Sequence, residues 1–104
     1  MPSRVEQFQA LIAQQPDNEL FRFSLARALE TDHRGAEAVT HYEFCTARKA
    51  DWMMPRIHLG KLLLQLGRRA EAKPLLDAAL LLAIEQKHED PERELRALLI
   101  KLPN

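Results

Sequence analysis

Apolar residues recur along this chain at steps of three and four positions, which is the spacing of one face of an α-helix. One such stretch contains Leu25 and Leu29, and a second contains Leu59 and Leu63. No segment alternates apolar and polar residues over the length of a strand. The pattern therefore predicts an all-α protein of about six helices, without a β-sheet.

The helical pattern repeats with an offset of 34 residues, since Leu25-Ala26-x-x-Leu29 aligns with Leu59-Gly60-x-x-Leu63. Further pairs at this offset are Ala38 with Ala72, Tyr42 with Leu76, Cys45 with Ala79 and Thr46 with Leu80. Small residues alternate with large ones along these helices, as close helix packing requires. A period of this length predicts one helix–turn–helix unit per repeat.

The segment before the first full repeat fits the second half of an earlier one. Its residues Phe8, Leu11 and Pro16 lie 34 positions before Tyr42, Cys45 and Ala50. We therefore predict one domain over residues 1–104. Its parts are a half repeat at 4–16, a first repeat at 19–50, a second repeat at 53–88 and a C-terminal capping helix at 91–101. The second helices of the two repeats are expected at about 36–49 and 69–88.

Helix ends are predicted from capping residues. Asp17 or Asn18 can accept hydrogen bonds from the first amides of the next helix. Gly35 and Gly67 are expected to supply the permissive backbone between the paired helices. Asp90-Pro91-Glu92 combines a capping side chain, a proline and an acid, and predicts the start of the last helix.

Two prolines fall within the predicted helices. Pro55 lies near a helix start, where its missing N–H costs little. Pro74 lies several residues inside the second helix of the second repeat, and it removes a backbone hydrogen bond near Ala70. We expect either a later start of that helix or a mild bend.

Charge and cysteine content narrow the function classes. Lys plus Arg number 15 and Asp plus Glu number 15, so no net charge attracts the chain to nucleic acid or to membranes. The longest apolar run, residues 78–84, is too short to cross a bilayer, and residues 1–7 do not resemble a signal sequence. The single cysteine cannot form an intrachain disulfide. We expect a cytoplasmic protein whose fold depends on its core.

The spacing of the aligned residues resembles the tetratricopeptide repeat, over about residues 4–84. This resemblance implies a right-handed helical repeat solenoid, and Pro16 matches the proline that closes a repeat of this family. The chain departs from the family where Arg22 and Arg56 replace an early aromatic residue, and where Ala50 and Ile84 replace the closing proline. The change at Ile84 implies that the last repeat helix continues toward residue 88.

The resemblance also implies a scaffold, which binds a peptide or partner helix on the concave face made by the first helix of each repeat. No phosphate-binding loop, serine nucleophile motif or carboxylate cluster indicates an enzyme, and we predict none. On this chain that face comprises Leu20, Phe23, Ser24, Arg27, Glu30 and Thr31, followed by Met54, Ile57, His58, Lys61, Leu64 and Gln65. An apolar floor beside cations would suit a peptide with a hydrophobic anchor and an acidic group. A carboxylate clamp known from one subgroup is not expected, because Phe23, Arg27 and His58 stand at its first three positions.

The same apolar residues have a structural alternative. They could pack beneath the terminal helices of the same chain. Alternatively, they could pack against a second copy of the chain, and the protein would then be an architectural homodimer. His41 and Cys45 lie four residues apart and could share a metal, but no third ligand has a convincing spacing. We interpret Cys45 as a buried thiol, and we predict no catalytic, cofactor or metal site. His33 and His88 are expected on the surface near helix ends.

Overall fold

The computed structural model describes residues 2–102, and six α-helices account for most of them. The helices are α1 (Arg4–Gln14), α2 (Glu19–Thr31), α3 (Gly35–Arg48), α4 (Met53–Gln65), α5 (Arg69–Glu85) and α6 (Glu89–Ile100). No strand occurs in this part of the chain. The prediction of an all-α protein with six helices is therefore confirmed. Over the same residues, none of the helices has the length and apolar content needed to cross a membrane.

The 34-residue offset is visible in the bounds of the helices. Both α2 and α4 contain 13 residues, and the two helices begin and end 34 positions apart. Helices α3 and α5 also begin 34 positions apart, although α5 has 17 residues and α3 has 14. The distance along the chain from the start of α2 to the start of α3 is therefore the same as that from α4 to α5.

The chain divides into two compact units, Met1–Lys49 and Ala50–Asn104. In the first unit, α2 packs against both α1 and α3. Its core contains Leu25 and Leu29 on α2 and Tyr42 and Cys45 on α3, with Ala38 fully buried among the small residues. These positions are spaced three or four apart on each helix, so one face of each helix is removed from water.

In the second unit, α5 packs against both α4 and α6. One cluster of buried side chains draws on all three helices: Met53, Ile57, Leu76, Ala79, Ala83 and Leu95. Leu98, Leu99 and Leu102 pack against this cluster from the C-terminal end of the chain. The C-terminal helix is therefore held by Leu95 together with these three leucines.

Several helix ends follow the sequence predictions. Asn18 is the N-cap of α2, and its side chain accepts a hydrogen bond of 3.1 Å from the amide of Phe21. Gly67 has a left-handed backbone with φ 76°, as the turn between α4 and α5 requires. Helix α1 begins with a reciprocal capping box of Ser3 and Glu6, which was not predicted.

The prediction for Gly35 is wrong, because that residue is the first of α3. The left-handed residue in this turn is His33, with φ 59°. The amide of Arg34 donates to the carbonyl of Leu29, and this bond forms only when the residue directly after the C-cap reverses the chain. His33 lies 34 positions before Gly67, so the two turns share one geometry although only one of them has a glycine.

The predicted ends of the last two helices need correction. Helix α5 ends at Glu85, short of residue 88, and Lys87 adopts a left-handed backbone in the following turn. Helix α6 begins at Glu89 with His88 as its N-cap, so Asp90 is not the capping residue. Pro91 is consequently the third residue of α6, where an amide would still have no partner inside the helix. The proline fits at either position, which is why it could not define the start.

Pro74 does not delay the start of α5, since the helix begins at Arg69 and continues through the proline. The proline side chain lies on the exposed surface of the helix. The carbonyl that loses its amide partner, that of Ala70, belongs to a residue that is exposed as well. Water can therefore satisfy that carbonyl, and the helix tolerates the proline.

Candidate functional site

The predicted partner-binding residues of the first repeat lie on one face of α2, three and four positions apart. Phe23, Ser24 and Arg27 line a cleft of about 260 Å³ between α1 and α2, together with Ala28 and Thr31. We call this the α1–α2 cleft. Leu20 stands one turn before Phe23 and is 62% exposed.

Helix α1 contributes two further side chains to this cleft, Arg4 and Phe8. The two residues are four positions apart, so they project from the same face of α1. The sequence analysis did not assign them, because the 34-residue offset aligns Phe8 with the buried Tyr42. The signal that could have revealed them is the four-residue spacing of Arg4 and Phe8, which places a cation and an aromatic ring on one helix face.

Two guanidinium groups and two phenyl rings meet in the α1–α2 cleft. Arg27 is half-exposed and lies 3.5 Å from Glu30, measured from Nη1 to Oε2. The same Glu30 oxygen accepts a hydrogen bond from the hydroxyl of Tyr42. Within residues 2–102, Arg4 has no ion-pair partner. The cleft therefore combines an apolar lining with positive charge.

Tyr42 and Phe23 connect this cleft to the core of the first unit. Their rings form an edge-to-face pair with centroids 5.9 Å apart and an interplanar angle of 62°. Burial, followed by the hydrogen bond to Glu30, raises the pKa of Tyr42 well above its usual value. The phenol thus stays neutral and can donate to Glu30. This hydrogen bond holds the Tyr42 ring, and the Tyr42 ring in turn packs against the Phe23 ring.

The predicted residues of the second repeat have two different environments. Lys61, Leu64 and Gln65 line a cleft of about 490 Å³ between α4 and α6, which we call the α4–α6 cleft. Its other side chains are Glu94, Ala97 and Leu98 of α6 and Lys101, the C-cap of that helix. Ile57 is only 6% exposed and belongs to the core cluster that contains Leu95. At this position, the terminal helix covers the apolar floor expected from the sequence.

The remaining residues of the predicted α4 face are on or near the surface. Met54 is 41% exposed, and His58 is half-buried. Lys61 forms an ion pair with Glu94, and this contact joins α4 to α6 across the opening of the α4–α6 cleft. Both partners are substantially exposed, so the pair contributes little to the stability of the fold.

The two clefts use equivalent positions of α2 and α4. Arg27 and Lys61 lie 34 residues apart, and each supplies a cation to the cleft of its own unit. Thr31 and Gln65 are a second pair of residues that lie 34 positions apart and line the two clefts, and both are polar and uncharged. The equivalence ends at Phe23, which lines its cleft while its counterpart in α4 is buried.

The chain matches no protein-family model, no curated protein and no solved structure. The resemblance to the tetratricopeptide repeat consequently depends on the 34-residue spacing described above. The equivalence of the two clefts was found from the structure of each unit, and it depends on no relative.

His41 and Cys45, the pair considered for metal binding, take part in the packing of α2 against α3. Cys45 is buried, as predicted, and its thiol donates to the carbonyl of Glu19 at 3.4 Å. Burial raises the pKa of this thiol to about 11. His41 Nδ1 lies 3.4 Å from Nη1 of Arg22, a side chain that also stacks on the Phe44 ring at 4.7 Å. Among residues 2–102, no three His, Cys, Asp or Glu side chains are grouped so that they could hold a metal ion.

Proposed function

We propose that this chain is a tetratricopeptide-like interaction module. It binds a peptide or partner helix on the exposed face of the first helix of a repeat, which is α2 or α4. The observation that carries this proposal is the equivalence of the two clefts. In each unit a cation, Arg27 or Lys61, and a polar residue one turn later line an open cleft with an apolar wall. The same two positions of α2 and α4 are thus accessible to a ligand in both units.

The chemistry of both clefts suits a protein ligand. Contact surfaces on proteins combine large apolar side chains with a few polar groups that set the orientation of the partner. The α1–α2 cleft offers phenyl rings beside guanidinium groups, and the α4–α6 cleft offers Leu64 and Leu98 beside lysines. Leu20 adds a large apolar side chain that the first unit leaves exposed.

Selection of random 12-residue peptides on phage by the full chain would test the proposal. Enriched peptides should bind wild type and lose at least about tenfold in affinity to Phe23→Glu and to Leu20→Glu, since a buried anchor contact is worth more than about 1.4 kcal/mol. Leu20→Glu changes an exposed residue and so leaves the fold intact. Thr40→Glu, which places the same charge on an exposed part of α3, is the matched control and should bind like wild type.

Two results would contradict the proposal. One is the absence of any enriched peptide. The other is a set of peptides that bind Phe23→Glu and Leu20→Glu as tightly as wild type, because their site would then lie elsewhere. Circular dichroism of each variant shows whether its helices are intact.

Self-association through the same face is the second candidate function. It is supported by Leu20 and Met54, two large apolar side chains at equivalent positions that are both substantially exposed. Light scattering over a concentration series distinguishes the candidates. A homodimer gives twice the monomer mass of 12.0 kDa, and Leu20→Glu should return it to the monomer mass. A monomer mass at the highest concentration excludes the homodimer.

A further inference from the structure

We infer that the α1–α2 cleft takes a peptide in which a carboxylate lies about one helical turn from a large apolar side chain, and that Arg4 and Phe8 of α1 complete the site. The inference rests on the proposed function and adds the chemistry of the partner. It also gives α1 a binding role that the repeat pattern did not assign to it.

The cleft has a polarity along its length. Helix α1 begins beside the end of α2, because Arg4 and Val5 share a depression with Ala28 and Thr31. Arg4 precedes Phe8 by four residues, while Arg27 follows Phe23 by four, so both helices carry their cation toward the same end of the cleft. Four residues of helix advance about 6 Å. The cations and the rings are therefore separated by about one helical turn.

The ring end of the cleft accepts an apolar anchor. Phe8 and Phe23 are both half-buried, and Phe23 is held from behind by the edge-to-face contact with Tyr42. A ring that is already fixed loses little conformational freedom when a ligand packs on it. An aliphatic or aromatic side chain of the partner can therefore bind between the two rings.

The cation end of the cleft favours a carboxylate. Arg4 has no acidic partner within residues 2–102, so no internal salt bridge has to be broken. Arg27 lies 3.5 Å from Glu30, the outer limit of a hydrogen bond, and it also interacts with the Tyr42 hydroxyl, which donates to the same Glu30 oxygen. A guanidinium makes shorter, paired bonds to a carboxylate that approaches in its plane. Asp32 also lines the depression beside Arg4, and it lies 3.8 Å from Arg34, outside the cleft. The two guanidinium groups and the one glutamate at the cleft leave positive charge for a ligand to neutralise.

The phage selection described above supplies the probe for this inference. We expect the enriched peptides to contain Asp or Glu three or four positions from a large apolar residue. The most enriched peptide is synthesised together with a copy in which Gln or Asn replaces the acidic residues. Fluorescence anisotropy then measures both peptides against wild type, Arg4→Gln and Phe8→Ala, with Arg69→Gln, an exposed residue outside the cleft, as the charge control.

Arg4→Gln should weaken binding of the acidic peptide about two- to fivefold, the range expected for one exposed charge contact, and should leave binding of the amide peptide unchanged. Phe8→Ala should weaken both peptides, and Arg69→Gln neither. Added salt should weaken the acidic peptide more than its amide copy.

The inference fails if peptides are enriched without acidic residues, or if Arg4→Gln has the same effect on both peptides. Either result leaves the proposed function standing. If no peptide is enriched, the proposed function fails first. A concentration-dependent dimer that Phe8→Ala abolishes would assign the cleft to a second copy of the chain and would overturn the inference.

Discussion

A Cβ atom on Gly60 would lie 2.6 Å from Cδ2 and 2.7 Å from Cγ of Leu76. Leu76 is fully buried, so it has little room to withdraw. Helices α4 and α5 thus approach each other at a position where the first helix has no side chain. The glycine is required for this contact and not for a turn.

Gly60→Ala should lower the free energy of unfolding by about 1 kcal/mol. Overpacking of a core costs about 1 to 3 kcal/mol, while the change from Gly to Ala within a helix returns about 1 kcal/mol. Urea denaturation followed by circular dichroism measures the difference. Ala97→Gly is the control, since Ala97 is exposed in the last turn of α6 and its replacement should cost no more than the propensity difference. A higher urea midpoint for Gly60→Ala would contradict the close approach.

Leu95→Ala should destabilise the second unit by about 2 to 5 kcal/mol, as expected for a fully buried leucine. Leu95 is the residue of α6 in the core cluster with Ile57. Ile100→Ala, on the same helix, removes a side chain that is 84% exposed and should change stability by less than about 0.5 kcal/mol. Hydrogen exchange of the α4 amides would report the loosening of α6. Equal effects of the two substitutions would show that α6 does not bury Leu95.

Tyr42 should not ionise while the first unit remains folded. Its pKa is raised by burial and by the hydrogen bond to Glu30, and it is the only tyrosine of the chain, so phenolate absorbance has a single source. The absorbance should appear together with alkaline unfolding measured by circular dichroism. Phenolate formation at about pH 10, with the helices intact, would contradict the burial of the hydroxyl.

Tyr42→Phe should lower the free energy of unfolding by about 1.5 to 3 kcal/mol, because it removes a hydrogen bond to a partly buried carboxylate. Thermal unfolding measures the change. Glu43→Gln, an exposed carboxylate on the same helix, is a control for altered charge and should have little effect. An unchanged melting temperature for Tyr42→Phe would mean that the hydroxyl bond does not contribute to stability.

The stability of the first unit should fall as the pH is lowered through the unfolded pKa of histidine. Burial lowers the pKa of His41, the Arg22 charge lowers it further, and Glu37 opposes them weakly. Because the unfolded chain binds the proton more readily, its contribution to stability is fully present above pH 6.5 and is lost between that value and the lower pKa of the folded state. Urea unfolding at about pH 7.5 and about pH 5.5 measures this loss.

His41→Gln removes the titrating ring and keeps an acceptor for Arg22, so it should reduce the pH dependence of stability. His33→Gln, at an exposed position, is the matched control and should leave that dependence unchanged. If His41→Gln has the same pH dependence as wild type, another group is responsible.

Local patterns of residues are sufficient to predict the helices and the residues that share each helix face. Periodicity and capping are local, since they depend on residues three or four apart. For that reason α2 and α4 begin at residues 19 and 53, where the two repeats were predicted to begin. The turns were less predictable. His33 and Gly67 have the same left-handed backbone, because the hydrogen bonds at the helix end demand it and a histidine can adopt it at a modest cost.

Tertiary structure decided which of the equivalent positions stays accessible. Phe23 and Ile57 occupy the same place in the 34-residue period, and no local pattern distinguishes them. Phe23 lines a cleft beside α1, whereas Ile57 is buried in a core to which α6 contributes Leu95. Burial depends on the neighbour that packs on each face, and that neighbour comes from a distant part of the chain. The same reason explains why Arg4 and Phe8 joined the candidate site only once α1 was seen beside α2.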